Sequence, residues 1–193
     1  MSCQLDRRFF IAGGGAAIAL AATPVLAQAE VLAQMRQGGL LLFMRHANAP
    51  GIGDPENFRI DDCATQRNLS ERGRVQAMEV GARLKREGVT WASVQSSRWC
   101  RCLDTARLAF GAAEPLDLLN SGFNDARAGR PDRTQDLRRH LLAQPRESGN
   151  RIHVTHMVNI MRLLNVNTAD AEIVAVRLVG DALQTIGSLR PDA

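Results

Sequence analysis

Arg45 and His46 lie side by side, directly after an apolar run at residues 40–44. A short continuous apolar run predicts a buried strand of a parallel sheet, and open α/β sheets bind their ligands at the carboxyl ends of such strands. Arginine offers a planar fork of donors that suits phosphate, and imidazole acts as a base or a nucleophile near neutral pH. The pair therefore suits phosphoryl chemistry, but the dipeptide alone is a weak signal that needs partner residues.

Two further polar residues follow predicted strands in the same way. Arg101 lies in the first turn of a predicted helix after a second strand, and His156 comes directly after a third strand. Backbone N–H groups and the dipole at a helix N-terminus favour an anion beside Arg101. Because parallel strands with right-handed crossovers share one carboxyl edge, we expect both residues to converge with Arg45 and His46 on one phosphate.

Predicted strands and helices alternate along the chain. Strands are predicted at residues 40–44, 89–95, 116–119, 151–155, 172–178 and 183–189, and helices at residues 30–37, 71–87, 99–110, 134–143 and 157–164. This alternation predicts an α/β fold, a three-layer α/β/α sandwich with a mostly parallel central sheet. With 193 residues, 45% of them hydrophobic, the chain is long enough for one domain with a core and short for two.

The first crossover helix has a clear start and an approximate core stripe. Ser70 is a good N-cap, and Glu71 suits the positive end of the helix dipole. The apolar side chains expected to face the core are Val75, Met78, Ala82 and Leu84. Before this helix, the Gly, Pro and Asp content of residues 50–62 predicts a surface loop that could form one wall of a pocket.

The composition argues against a nucleic-acid surface. The formal charge is +4, but the arginines are scattered, Lys85 is the one lysine, and only 4% of the residues are aromatic. A nucleic-acid surface would need a basic stripe with interleaved aromatic side chains. The expected partner is a small phosphorylated substrate, with no nucleic acid; the sequence does not indicate an oligomeric state.

Residues 1–29 are predicted to be an export signal of the twin-arginine type. Arg7 and Arg8 precede an apolar run rich in Gly and Ala, and Ala27-Gln28-Ala29 offers a small-residue cleavage site. The alternatives are an ordinary secretory signal or a retained anchor, although the run is short for a membrane span. Cleavage would leave residues 30–193 as a periplasmic or secreted domain without stable membrane insertion.

Three cysteines remain after such cleavage: Cys63, Cys100 and Cys102. An oxidising compartment permits one disulfide with one cysteine left over. Cys100 and Cys102 are two apart on a predicted helix and do not face each other, so a bridge would join Cys63 to one of them. The alternative is three buried free thiols.

Four motifs, at residues 45–49, 69–77, 97–106 and 154–156, resemble in order and spacing the histidine phosphatase superfamily, which has the phosphoglycerate mutase-like fold. The resemblance extends from about residue 39 to residue 189. Ala47 and Ala49 make the first motif more similar to the small phosphohistidine phosphatases than to the mutases. The mutases carry Arg-His-Gly followed one residue later by Ser or Thr.

The resemblance implies roles for the four converging residues. His46 would be the nucleophile, attacking phosphorus through a neutral ring nitrogen to give a phosphohistidine that water then hydrolyses. Arg45 and Arg101 would hold the equatorial phosphate oxygens and stabilise the charge that develops on them. His156 would be a second, protonated phosphate ligand. No metal and no organic cofactor is implied.

The general acid is the least defined role. Family members usually supply a carboxylate between the second arginine and the second histidine, and Asp125 is our candidate, with Glu114 second and a solvated loop aspartate as the alternative. Without an acid, only substrates with good leaving groups, such as phosphoramidates or acyl phosphates, would turn over well. That outcome fits the phosphohistidine phosphatase resemblance but fits poorly with export, because phosphohistidine signalling proteins are cytoplasmic.

Two further residues are candidates for substrate binding. Asn48 could supply an amide to the phosphate, with a role in the loop turn as the alternative. Arg67 resembles an arginine of the short phosphohistidine phosphatases and could line the pocket rim, with a surface salt bridge as the alternative. His153 should point to the opposite face of its strand from the site and be structural.

Three functions follow from these residues. The first is an exported histidine phosphatase that hydrolyses a phosphomonoester or phosphoramidate through His46. The second is a catalytically weak protein of the cell envelope that binds phosphate or a phosphosugar on the same fold. The third is an intracellular phosphohistidine phosphatase, which requires that residues 1–29 are retained.

Overall fold

The computed structural model describes residues 24–123, 125, 129–145 and 148–191. Its strands are β1 (Leu41–Arg45), β2 (Trp91–Ser96), β3 (Glu114–Pro115), β4 (Asn150–Thr155), β5 (Ile173–Val179) and β6 (Ala182–Leu189). Its helices are α1 (Pro24–Gln37), α2 (Glu71–Arg86), α3 (Cys100–Phe110), α4 (Thr134–Ala143) and α5 (Met157–Leu164). Two 3₁₀ turns, at Cys63–Thr65 and Asp117–Leu119, complete the regular structure of these residues.

The six strands form one sheet in the order β3-β2-β4-β1-β5-β6. The four strands from β3 to β1 pair in parallel, whereas β5 is antiparallel to both β1 and β6. The predicted α/β fold with a mostly parallel sheet is confirmed. Because β4 lies between β1 and β2, the carboxyl ends of these three strands are neighbours on one edge.

Each face of the sheet carries its own hydrophobic core. Alternate residues of β1 point to opposite faces, so Leu42 and Met44 pack with side chains of α1, α2 and α3, while Leu41 and Phe43 pack with α4 and α5. The side chains of Leu41, Leu42, Phe43 and Met44 are at most 1% exposed. A strand buried on both faces needs this continuous apolar run, which explains the pattern seen in the sequence.

Helix α2 packs through its glycines, which the predicted core stripe missed. A Cβ on Gly73 would lie 2.1 Å from the carbonyl oxygen of Asn48, and one on Gly81 would lie 1.9 Å from that of Ala109. This close approach turns Gln76, Ala77, Val80 and Leu84 inward and leaves Val75 and Met78 41% and 45% exposed. The predicted stripe is therefore wrong except at Leu84.

The remaining differences from the predicted elements are at edges and ends. In place of the strand predicted at residues 116–119 there is a 3₁₀ turn at Asp117–Leu119, and the short strand β3 lies just before it. Helix α1 begins at Pro24, so cleavage after Ala29 would remove its first six residues. The predicted twin arginines lie in residues 1–23, outside the described residues. No described helix has both the length and the hydropathy to cross a membrane.

A disulfide joins Cys63 to Cys100, the first residue of α3, with Cα atoms 5.7 Å apart. Of the alternatives that the sequence left open, the structure therefore has this pair, with Cys102 as a buried free thiol. The bond ties the long loop after β1 to the start of α3. It thereby holds that loop beside Arg101, the next residue of the helix.

Candidate active site

The sheet edge brings five of the predicted site residues to one open cleft of about 770 Å³. Arg45 and His46 reach it from the end of β1, and His156 reaches it from the end of β4, which pairs in parallel with β1. Arg101 enters from the first turn of α3, and Arg67 enters from the loop before α2. The convergence expected from the parallel topology is present.

His46 is 3% exposed and has a defined tautomer. Its Nδ1 lies 2.8 Å from the carbonyl oxygen of Ala47. A carbonyl oxygen can only accept, so Nδ1 carries the proton and Nε2 has a free lone pair. Burial, together with the positive charges of Arg101 and Arg45, lowers the pKa of His46 to about 3. The ring is therefore neutral near pH 7, the state that a nucleophilic nitrogen requires.

His156 faces His46, with ring centroids 5.4 Å apart in an edge-on arrangement. Its Nε2 lies 2.9 Å from the hydroxyl of Ser97 and 3.5 Å from the thiol of Cys102. Burial above all, and then the neighbouring His46 and the arginines, lower the pKa of His156 well below its usual value. These surroundings favour a neutral His156 over the protonated ligand that was expected; the negative charge of a phosphate would raise this pKa.

Arg45 and Arg101 are held by carboxylates but keep one buried donor each. The terminal nitrogens of Arg45 bind the Thr168 carbonyl at 2.7 Å and the Asp170 carboxylate at 2.8 Å. Those of Arg101 bind both oxygens of Asp54, at 2.8 and 3.2 Å. Within the described residues, neither buried Nε–H has a hydrogen-bond partner. An unmade buried hydrogen bond is costly, so a partner for either donor would stabilise the site.

Asp54 is the residue of the site that the sequence reasoning missed. It belongs to the loop predicted as a pocket wall, and it accepts hydrogen bonds from the indole of Trp99 at 3.0 Å and the backbone N–H of Arg67 at 3.1 Å. Burial acts to raise the pKa of Asp54, but the contacts with Arg101 outweigh it and lower that pKa. Asp54 is therefore an ionised partner that orients Arg101.

Arg67 lines the cleft; the alternative considered for it, a surface salt bridge, is not what the structure has among the described residues. Its guanidinium is bound to the carbonyl oxygens of Gly53, at 2.8 Å from Nε, and of Ala49. Burial and the charge of Arg101 lower the pKa of Arg67. The loop carbonyls therefore fix a third positive charge near the two histidines, as expected for a rim residue.

Asn48 does not line the cleft. Its amide nitrogen donates to the Asp170 carboxylate at 2.9 Å, and its amide oxygen accepts from the hydroxyl of Ser70 at 2.6 Å. Since Asp170 also holds Arg45, Asn48 connects the N-cap of α2 to the arginine. The structure thus shows a supporting position in place of the predicted phosphate contact.

Asp125, the predicted general acid, also lies outside the residues that line the cleft. Its carboxylate is 3% exposed and forms ion pairs with Arg130 at 2.8 Å and Arg133 at 3.4 Å. Each of its two carboxylate oxygens is thus held by an arginine. This placement speaks against the predicted acid role. The second choice, Glu114, is exposed on β3 at the sheet edge.

His153 lies in the core, stacked on Phe43 with ring centroids 4.9 Å apart, consistent with the structural role expected for it. Because of burial, the pKa of His153 is lowered to about 3, as is that of His46. In the unfolded chain these rings titrate near 6.5, so below that pH the unfolded state binds more protons than the folded state. The stabilisation that neutral rings give is complete above pH 6.5 and is lost as the pH falls toward 3.

We therefore expect the free energy of unfolding to decrease as the pH falls from 6.5 to 4. His153→Phe removes one titrating group and keeps an aromatic ring against Phe43, so it should reduce the slope by up to about 1.4 kcal/mol per pH unit. Urea unfolding at several pH values measures this slope. A variant with the slope of the parent protein would show that His153 does not contribute.

The fold and this arginine-lined cleft define a phosphoglycerate mutase-like α/β protein with an anion site at the carboxyl edge of its sheet. The chain matches the family model of the histidine phosphatase superfamily, branch 1, over residues 41–134. That match includes β1, α2 and α3 and therefore Arg45, His46 and Arg101. No curated protein matches the sequence significantly.

Solved structures of phosphatases share this fold. The protein histidine phosphatase SixA complexed with tungstate superposes with a TM-score of 0.60 at 15% identity, over 79% of this chain and 97% of that one. The alpha-ribazole phosphatase from Shigella flexneri gives 0.56 at 15% identity, over 79% and 96%. The phosphoserine phosphatase from Entamoeba histolytica with 3-phosphoglyceric acid gives 0.55 at 14% identity, over 78% and 96%. At these identities the likeness is one of fold.

Proposed function

We propose that this protein is a phosphatase that passes a phosphoryl group from its substrate to Nε2 of His46 and then to water. The observation that carries the proposal is the neutral, Nε2-free His46 at the floor of a cleft lined by Arg45, Arg67 and Arg101. In the first step the N–P bond forms as the bond between phosphorus and the leaving group breaks. In the second, water replaces the nitrogen, which releases phosphate and restores the neutral ring.

The arginines supply the electrostatic part of this chemistry. Arg45 and Arg101 bring their guanidinium groups to the cleft that would hold the equatorial oxygens, and Arg67 adds a third positive charge. The related SixA structure is a complex with tungstate, a tetrahedral oxyanion. We propose that the phosphoryl group occupies the corresponding floor here, with charge compensation by arginine and no need for a metal or a cofactor.

The positions of Asp54 and Asp125 favour turnover of substrates that have good leaving groups. Asp54 is ionised against Arg101, and Asp125 is enclosed by two arginines. An alkoxide leaving group needs a proton, which neither carboxylate is placed to give. We therefore propose that phosphoramidates and acyl phosphates turn over faster than alkyl phosphomonoesters.

We further propose that the protein works in the periplasm or outside the cell. The Cys63–Cys100 disulfide supports an oxidising compartment, since such bonds are rare in the cytosol. Mass spectrometry of the amino terminus of the mature protein tests the predicted cleavage after Ala29. An intact residue 1 would favour the intracellular alternative.

The pairing of Asp54 with Arg101 favours a second candidate function. A carboxylate already bound to the guanidinium that would hold phosphate also suits a protein of the cell envelope that binds phosphate or a phosphosugar without turnover. Such a protein would bind phosphate tightly and would not hydrolyse any phosphate ester.

Phosphate release by the purified protein separates the two functions. We expect turnover with chelator present, in the order phosphoramidate, aryl phosphate, sugar phosphate, because leaving-group quality decreases along this series. Equal rates on all three would show that an acid operates. Tight phosphate binding with no turnover would favour the binding protein, and a loss of turnover in chelator would contradict metal independence.

A further inference from the structure

The cleft continues well beyond its phosphate-binding floor. Its volume of about 770 Å³ is that of a site for a small organic molecule. The arginines and histidines described above line only part of it, the floor. The outer part carries a set of apolar side chains, here called the apolar wall: Ile52, Phe58, Ile60, Trp99, Phe123 and Met157. The body of a substrate whose phosphate is bound beside His46 would lie in the part of the cleft that these side chains line.

The apolar wall leaves large hydrophobic surfaces in solvent. Of the seven large hydrophobic side chains that are markedly exposed among the described residues, three line this cleft: Ile52 at 91%, Phe123 at 53% and Met157 at 38%. Burial of these side chains would stabilise the protein or its complex by about 25 cal/mol for each Å² of apolar surface removed from water. A cluster of exposed apolar groups in one cleft is a feature of ligand sites.

Aromatic rings connect the apolar wall to the catalytic floor. The Trp99 ring meets His156 edge-on at 5.5 Å, and Phe58 stacks on Trp99 at 5.1 Å. The indole N–H of Trp99 is bound to Asp54 at 3.0 Å, which fixes the ring. The first surface that a substrate body meets beyond the phosphate is therefore rigid and apolar.

Three arginines that line the outer cleft form ion pairs with carboxylates outside its lining. Arg98 binds Asp61 at 2.5 Å, and Arg133 binds Asp125 at 3.4 Å. Arg130 binds the same Asp125 at 2.8 Å. Hydroxyls of a sugar would have to compete with these ion pairs, whereas an apolar body needs no such partner.

We propose that the substrate is an amphiphilic phosphate, with a phosphorylated head on the floor and an extended alkyl, acyl or aryl body against the apolar wall. This inference rests on the proposed phosphatase function and names the substrate class of the same site. The class is defined by the contact it makes with Ile52, Phe58, Trp99 and Phe123.

Acyl phosphates of different length test the proposal, because their leaving groups are chemically alike and only the apolar body changes. We expect kcat/KM for octanoyl phosphate to exceed that for acetyl phosphate about tenfold, equivalent to burial of fewer than two of the six extra methylenes. Ile52→Ser and Phe123→Ser should each lower this ratio about threefold. Val179→Ser, a control at a 51% exposed position on β5 outside the cleft, should leave the ratio unchanged.

Phosphonates, which are not hydrolysed, make the test independent of turnover. Octylphosphonate should bind about tenfold more tightly than methylphosphonate in calorimetry. Equal rates for both acyl phosphates together with equal binding of both phosphonates would overturn the inference while leaving the phosphatase function intact. If no acyl phosphate is hydrolysed and neither phosphonate binds, the proposed function fails and the inference fails with it.

Discussion

His46→Ala is expected to lower kcat/KM on every substrate by at least about 10³-fold, the scale seen when a nucleophile is removed. Nε2 of His46 combines a free lone pair with a neutral ring, because Nδ1–H is committed to the Ala47 carbonyl. Alanine removes that atom and leaves the arginines in place. Binding of phosphate should therefore persist while turnover is lost.

Three measurements define this result. Rapid acid-free quenching of the parent protein with substrate should show a covalent phosphoryl group on His46 by mass spectrometry, and the variant should show none. His140→Ala is the matched control, since His140 lies on α4 and is not among the residues that line the cleft. Turnover by His46→Ala within about tenfold of the parent rate would refute a histidine nucleophile.

The second large effect is expected from Arg101→Lys, with a loss of about 10²-fold or more in kcat/KM. Arg101 is 2% exposed, and its planar guanidinium binds both oxygens of Asp54, while its Nε–H has no hydrogen-bond partner in the described part of the chain. Lysine keeps the charge but cannot bind Asp54 with one side of a fork and phosphate with the other. The loss thus reports on geometry and not on net charge.

Arg107→Lys is the matched control for this prediction. Arg107 lies on the same helix, its side chain is 59% exposed, and it contacts Asp104 at 3.8 Å. Asp54→Asn tests the partner, since an amide oxygen can bind only part of the guanidinium; it should lower kcat/KM less than Arg101→Lys does. If Arg101→Lys keeps the parent kcat/KM while phosphate binding is also unchanged, Arg101 is not a phosphate ligand.

The amino-acid sequence by itself determined the fold and the floor of the site. Period and alternation of apolar runs predicted α/β topology, and parallel topology then requires residues at strand ends to share an edge. The sequence could therefore predict that four residues share one site, although 111 positions separate Arg45 from His156. The four are Arg45, His46, Arg101 and His156. Local pattern is sufficient here because each of these residues lies at the end of a strand, directly after one, or in the first turn of the helix that follows one.

Loops and charge states were decided only by the tertiary structure. Asp54 reaches Arg101 across 47 positions, and Asp125 turns to Arg130 and Arg133, because loop conformation depends on contacts that no periodicity encodes. The neutral state of His156 follows from burial and from charges that other elements supply. The choice of Cys100 over Cys102 follows from which face of α3 meets the loop. Each of these outcomes depends on distances in three dimensions, which the order of residues along the chain does not contain.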